Sequence, residues 1–174
     1  MGTVAVQFAK FGKAERGIEI AQENISESDQ VSALANIAQV CTLQSKDELA
    51  RQAIKAIVDD AQKMFALIGI SDAKNELGER EKAVALLNEA ATLCETVPQL
   101  PSRVAAYNEL SKRLNYYGET VKARELFHES LETIANIRAE NTRAVTLVQL
   151  ADIYEQENFT LTDAEKAILQ TMIR

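Results

Sequence analysis

The sequence predicts an all-α fold assembled from about five antiparallel helix pairs, and three features predict it. Of 174 residues, 47% are apolar and 26% charged, with two prolines, six glycines and no tryptophan, a profile of helical globular chains rather than of disordered or collagen-like ones. The stretches NELGEREKAVALL (Asn75–Leu87) and NYYGETVKARELF (Asn115–Phe127), aligned on their glycines, share Asn, Gly, Glu, Lys, Ala and Leu at six of thirteen places. Self-similarity at a fixed interval marks a repeat. Ahead of such turns, apolar and small residues recur at offsets of three, four and seven, the stripe of an amphipathic helix.

The turn positions are Gly12, Ser45, Gly78, Gly118 and Asn158, separated by 33, 33, 40 and 40 residues. After Gly12 come Gly17, Ala21 and Asn24, a weaker match, with a glycine where the next three units have alanine. Leu34, Ile37, Ala38 and Cys41 precede Ser45, and Ala50, Ile54 and Ile57 follow it. Around Gly78 the stripe is Leu67, Ile70, Ser71 and, out of pattern, Lys74, followed by Ala83, Leu87 and Ala90. Tyr107, Leu110, Ser111 and Leu114 precede Gly118, with Ala123, Phe127 and Ser130 after it; Leu147, Leu150, Ala151 and Tyr154 precede Asn158. The units run approximately over 1–28, 29–61, 62–97, 98–137 and 138–174, one repeat domain over 1–174. Seven added residues are about two helical turns, so the carboxy-terminal pairs are expected to be longer while burying the same face.

Punctuation agrees with that division. Ser45–Glu48 (SKDE) and Thr162–Glu165 (TDAE) fit capping boxes that would open second helices. Glu79, Glu81 and Glu119 place negative charge in other first turns, where the helix dipole favours it. Pro98 and Pro101 interrupt the chain between pairs, and Ser102 is placed to cap the helix that follows. Residues 59–62 carry no such breaker, which leaves one long helix open there.

The small residue before the turn, the glycine-like turn, and the alanine, bulky and small residues after it resemble the tetratricopeptide repeat over essentially the whole chain. Lys74, Gly17, the missing helix-ending proline and the forty-residue period depart from its pattern. One pair cannot bury its own stripe, so stacked pairs share a continuous core. The resemblance implies a right-handed superhelical α-solenoid with first helices lining a concave groove that binds peptides or protein partners. It also implies which offsets face that groove: Ser32, Ala35, Gln39, Thr42 and Leu43; Phe65, Ile68, Asp72, Asn75 and Glu76; Ala105, Asn108, Lys112, Asn115 and Tyr116; Val145, Val148, Asp152, Glu155 and Gln156. The partner-binding residues expected from these are Asn108, Lys112, Asn115 and Tyr116 at the centre, with Phe65, Asp72, Asn75, Asp152 and Glu155. Asp72, Lys112 and Asp152 share one offset, a row that fits a solvated ion-pair ladder and a ligand stripe equally. The Lys and Asn arrangement with which the family holds chaperone tails is not reproduced.

Residues 100–124 carry five Lys or Arg against two Glu, and 140–157 four acids against one Arg, an asymmetry that suits a dipolar partner, a like molecule, or ordinary solvated faces. The net charge of −7 argues against a phosphate backbone and an anionic membrane as partners. No apolar run approaches the ~20 residues of a spanning helix, and the amino terminus does not read as a secretory signal, so a cytoplasmic protein is expected. Cys41 and Cys94 sit inside helical stripes and read as small core residues. His128 in LFHES lacks the HExxH spacing, and Gly12 and Gly17 lack the Lys-Ser or Lys-Thr of a phosphate loop. The expectation is therefore a non-catalytic interaction module without cofactor or metal, with a self-associating scaffold or a fragment of a longer array as the alternative.

Overall fold

The computed structural model describes residues 2–23 and 26–172, so Asn24 of the first unit lies outside the described residues. Among them the fold is all-α, ten helices packed in neighbouring pairs: α1 (Gly2–Lys10), α2 (Ala14–Glu23), α3 (Glu27–Leu43), α4 (Asp47–Lys55), α5 (Asp60–Glu76), α6 (Arg80–Thr96), α7 (Leu100–Tyr116), α8 (Thr120–Ala135), α9 (Glu140–Gln156) and α10 (Asp163–Met172). They divide into two compact units, Met1–Ala90 and Ala91–Arg174.

The described residues with left-handed backbone are Gly12 (φ 83°), Ser45 (φ 57°), Gly78 (φ 77°), Gly118 (φ 76°) and Asn158 (φ 53°), the five turn positions. Each ends a first helix in the same way: its own N–H bonds three residues back, and the next N–H bonds five residues back. The pairs are Gly12 to Ala9 and Lys13 to Phe8; Ser45 to Thr42 and Lys46 to Cys41; Gly78 to Asn75 and Glu79 to Lys74; Gly118 to Asn115 and Glu119 to Leu114; Asn158 to Glu155 and Phe159 to Tyr154. Glycine adopts this geometry without steric cost, and asparagine tolerates it better than most residues.

In the first unit α1 packs against α2 and α3, and α3 against α4 and α5. Ala5, Ala9, Ala14, Ile18 and Ala21 are buried, and so are Leu34, Ile37, Ala38, Cys41, Ala50 and Ile54. The glycine at position 17 has a packing reason. A Cβ there would lie 2.5 Å from the Ala5 carbonyl oxygen, a clash that would drive α1 and α2 apart. The chain does break before α5, because the Asp59 carboxylate accepts the Gln62 N–H at 2.8 Å and caps the helix. SKDE does not form a capping box: Ser45 is committed to the left-handed turn, and Lys46, the N-cap of α4, makes no side-chain cap.

In the second unit α7 packs against α8 and α9, and α8 against α9 and α10. Ser111 Oγ donates to the Ala123 carbonyl at 2.8 Å across the α7–α8 pair, the same two offsets that meet as Ala5 and Gly17 in the first pair. Gln99, not Ser102, is the N-cap of α7, and Pro101 sits in its first turn, where a missing N–H costs nothing. The core joins Val104, Phe127, Leu131, Ile134, Ile137 and Leu150, with Tyr154, Phe159, Ile168 and Leu169 packed on it. Two arginines close the helix ends behind them: Arg103 donates from Nε and Nη2 to the Val97 carbonyl at 3.0 and 2.6 Å, and Arg143 from Nη1 to that of Ile137 at 3.3 Å.

The extra length falls on second helices only. First helices α3, α5, α7 and α9 each have 17 residues, whereas α4 has 9, α6 has 17 and α8 has 16. The fifth pair departs further. The other second helices begin two residues past their turns, at Ala14, Asp47, Arg80 and Thr120, but α10 begins at Asp163, five past Asn158. Ala151, whose counterparts Ala38, Ser71 and Ser111 are buried, is consequently exposed. TDAE does form its box, Thr162 N–H to Glu165 Oε2 at 2.8 Å and Glu165 N–H to Thr162 Oγ1 at 3.2 Å. Glu165 is buried and also accepts from Arg124, whose guanidinium lies 5.4 Å from the Phe127 ring centroid and 5.3 Å from that of Phe159.

Two outcomes follow from these contacts. Ser45→Gly is expected to stabilise the chain by about 0.5–1 kcal/mol and Gly78→Ala, where an added Cβ meets nothing within 4 Å, to cost about 1 kcal/mol of backbone strain alone, both read by urea unfolding. Glu165→Ala removes charge-assisted hydrogen bonds and is expected to cost about 2 kcal/mol, with hydrogen exchange accelerated across α10 and unchanged in the α7–α8 pair.

Candidate functional site

In the first unit the side-by-side packing of α1, α3 and α5 leaves a face of first helices uncovered. Ser32, Asn36 and Gln39 of α3 share one side of the helix, at the i, i+4, i+7 spacing. A cleft opens on each flank of this ridge. The one toward α1 has a volume of about 540 Å³ and is lined by Thr3, Val6, Gln7 and Lys10 with Asp29. The one toward α5, about 330 Å³, is lined by Val31 and Ala35 with Gln62, Phe65, Ala66 and Gly69. Ser32, Asn36 and Gln39 border both. The side-chain amides of Asn36, Gln39 and Gln62 make no hydrogen bond among the described residues, and an amide offers a donor and an acceptor together, which is the complement of a peptide group.

The residues expected at groove offsets in this unit divide between surface and core. Phe65 is 43% exposed at the edge of the α5-side cleft, Leu43 is also exposed, and Asp72 and Asn75 are half-buried. Ile68 and Thr42 are buried; the Thr42 hydroxyl is turned back onto the Ala38 carbonyl at 2.8 Å.

In the second unit the expected centre separates. Asn108 is buried, not groove-facing: its Oδ1 accepts the Ser130 hydroxyl at 2.7 Å and ties α7 to α8. The Asn115 amide donates to Glu157 Oε2 at 2.5 Å, joining α7 to the end of α9. Lys112 is half-buried, 3.4 Å from Glu109 one turn back. Tyr116 is 80% exposed, with its ring centroid 5.7 Å from that of Tyr117. Asp152 and Glu155 are exposed on α9 beside the exposed Val145 and Val148.

Other chemistry-bearing groups are occupied by the fold. Burial pushes the Cys94 thiol up to about 12 and raises Cys41 as well, which keeps both protonated and unreactive near neutrality. His128 is bracketed by Glu132 at 3.4 Å and Glu165 at 3.6 Å. Among the described residues no group of three His, Cys, Asp or Glu side chains is placed to hold a metal ion, and no helix is long and apolar enough to cross a membrane. Val97 and Ile137, buried just past the ends of α6 and α8, and the arginine pair Arg103 and Arg143 went unread in the sequence, though each set recurs at the forty-residue interval.

Comparison of the chain with protein-family models, with curated proteins and with solved structures finds no match.

Lys74, the residue out of pattern, is buried at the end of α5 beside a small cleft of about 140 Å³. Its ammonium donates to Asp47 at 2.5 Å and to Glu79 at 2.9 Å, and Lys82 lies 2.7 Å from Glu79. Burial lowers the Lys74 pKa, but the two hydrogen bonds outweigh it and hold the value above that of an ordinary lysine. Lys82 first, then Lys74, hold Glu79 below the usual carboxylate range. The lysine contribution is thus complete below about pH 10 and lost as pH rises through the raised value; the Glu79 contribution is complete above about pH 4.3 and lost as pH falls through the lowered one. Lys74→Met restores the apolar stripe and is expected to change stability by less than about 1 kcal/mol at neutral pH. Asp47→Asn with Glu79→Gln, which strands the buried ammonium, is expected to destabilise more than either change alone, as measured by chemical denaturation across this pH range.

Proposed function

We propose that this chain is a non-catalytic, tetratricopeptide-like α-solenoid that binds an extended peptide, or an extended segment of a protein, along the face of its first helices. One observation carries the reading: the ridge of Ser32, Asn36 and Gln39 stands between two open clefts with its amides unengaged. A peptide laid along α3 would exchange backbone hydrogen bonds with those amides while its alternate side chains enter the clefts on either flank. The five left-handed turns at the repeat positions support the solenoid reading, and the family resemblance supplies the right-handed superhelix and the concave placement of first helices. The acidic balance of −7 supports a protein partner over nucleic acid or an anionic membrane, and a cytoplasmic setting is part of the same proposal. In the second unit the exposed Tyr116, with Lys112, Asp152 and Glu155, is a candidate surface of its own.

A second reading, self-association, is favoured by the exposed Val145, Val148 and Ala151 on α9. Sedimentation of the parent against Val145→Asp with Val148→Asp separates it from the first, since only self-association makes the sedimentation coefficient depend on concentration and on these two valines.

Selecting a random peptide library on the immobilised chain tests the main reading. Enriched peptides are expected to bind Asn36→Ala with Gln39→Ala at least about tenfold more weakly, a loss of about 1.4 kcal/mol, with thermal stability unchanged. Equal binding to the parent and to this variant, with loss in Lys112→Glu and Tyr116→Ala instead, would move the site to the second unit.

A further inference from the structure

We infer that the bound peptide is anchored by one bulky apolar side chain, seated in the α5-side cleft over Gly69, and that the residues on either side of that anchor are polar. This inference rests on the groove reading and gives each of the two clefts flanking α3 a different task.

Gly69 marks the place of the anchor. It lies in the middle of a 17-residue helix, where glycine weakens the helix relative to alanine. The surrounding fold does not demand it: a Cβ built there meets nothing within 4 Å, whereas one at Gly17 would meet the Ala5 carbonyl oxygen at 2.5 Å. Nor does the repeat demand it. At the same place, nine residues before the turn, the other pairs carry Thr3, Asn36, Glu109 and Gln149, all polar side chains. On α5 alone the side chain is missing, and the space it leaves belongs to the cleft of about 330 Å³.

The two clefts differ in chemistry. On the α5 side, Phe65 and Ala66 stand one turn before Gly69, Val31 and Ala35 face from α3, and among the described residues no ionisable side chain lines the cleft. Apolar walls around an open floor suit a bulky apolar side chain. Asn36, Gln39 and Gln62 border the same cleft, their amides without an internal partner among the described residues. A peptide brings backbone donors and acceptors to those amides, whereas a hydrocarbon ligand would desolvate them without pairing them. On the α1 side, Lys10 and Asp29 line the cleft together with Thr3 and Gln7. An apolar side chain there would take water from charged groups and return nothing, while a hydroxyl or an amide can pair with them. Successive side chains of an extended chain point to opposite sides. With the anchor in the α5-side cleft, its two neighbours therefore turn toward the polar cleft.

The test uses the full chain and three blocked heptapeptides: Gly-Ser-Thr-Phe-Thr-Ser-Gly, the same peptide with alanine for phenylalanine, and the same with isoleucine for both threonines. Binding is followed by amide chemical-shift perturbation. The first peptide is expected to shift amides of residues 31–39 and 65–69, and the alanine peptide to bind at least about tenfold more weakly. The isoleucine peptide, though more hydrophobic, is expected to bind at least about threefold more weakly than the first. Gly69→Leu, which fills the cleft, is expected to bring the first peptide down to the affinity of the alanine peptide and to leave the latter little changed. Gly69→Ala is expected to raise Tm by about 2 °C. A Tm lowered by Gly69→Ala, equal binding of the phenylalanine and alanine peptides, tighter binding of the isoleucine peptide, or unchanged affinity in Gly69→Leu overturns the inference. If shifts then still fall on Asn36 and Gln39, the groove reading survives without it. Absence of shifts on α1, α3 and α5 at millimolar peptide overturns both.

Discussion

Everything in this architecture depends on a left-handed residue at the end of each first helix. Two hydrogen bonds fix each of these turns, one from the left-handed residue and one from its successor, so the direction in which the second helix departs is set by backbone geometry rather than by side-chain contacts. That constraint propagates. It fixes which residues of the two helices meet, so that Ala5 approaches Gly17 in one pair and Ser111 bonds Ala123 in another. Once the buried face is fixed, the exposed face of each first helix is fixed as its complement.

The same dependence explains how the fifth pair differs. Its turn at Asn158 is formed, yet α10 begins three residues late because the capping box at Thr162–Glu165 sets its start. The buried Glu165 carboxylate then anchors α10 through Arg124, and Ile168 and Leu169 complete the core around Phe127. A local cap has displaced the helix from the register that the turn would have given it, and Ala151 is left uncovered. In the third pair a different exception keeps the register. Lys74 and Glu79 occupy the two positions that usually make a hydrophobic contact in this turn, and they meet as an ion pair.

The turns were legible in the sequence because left-handed backbone is a severe filter. Three are glycine, one is asparagine, and only Ser45 had to be inferred from its neighbours. The all-α pairing followed from them, and the helix stripes were readable by period. The break before α5 was harder to see, since Asp59 caps it with one carboxylate and no proline or glycine marks it. SKDE misled because Ser45 cannot hold the left-handed turn of α3 and cap α4 as well. Groove residues were legible only as offsets. An offset fixes the side of a helix to within about a quarter turn, and Asn108 and Ile68 fall on the buried edge of that interval. Nothing local distinguishes an asparagine that will meet Ser130 from one that will meet solvent, because the partner lies twenty-two residues away and arrives only with tertiary packing.

That last point separates the two units more sharply than charge does. Where a neighbouring element supplies the complementary group, a polar residue at a groove offset becomes a strut: Asn115 is taken up by Glu157, and Asn108 by Ser130. Where the neighbours are small or aliphatic, as Ala66 and Gly69 are opposite α3, the amides of Asn36 and Gln39 keep their hydrogen-bonding capacity for something outside the chain. A strut contributes to stability in the absence of any ligand, whereas an unengaged amide beside a cleft contributes little to the isolated fold. Gly69 goes further, since its presence costs helix stability that alanine would restore. A residue that weakens its own helix, meets no internal packing requirement and opens a cleft is what the proposed peptide-binding reading calls for, which is why that reading places its partner on the face of α3 and α5 rather than on the more charged face of α7.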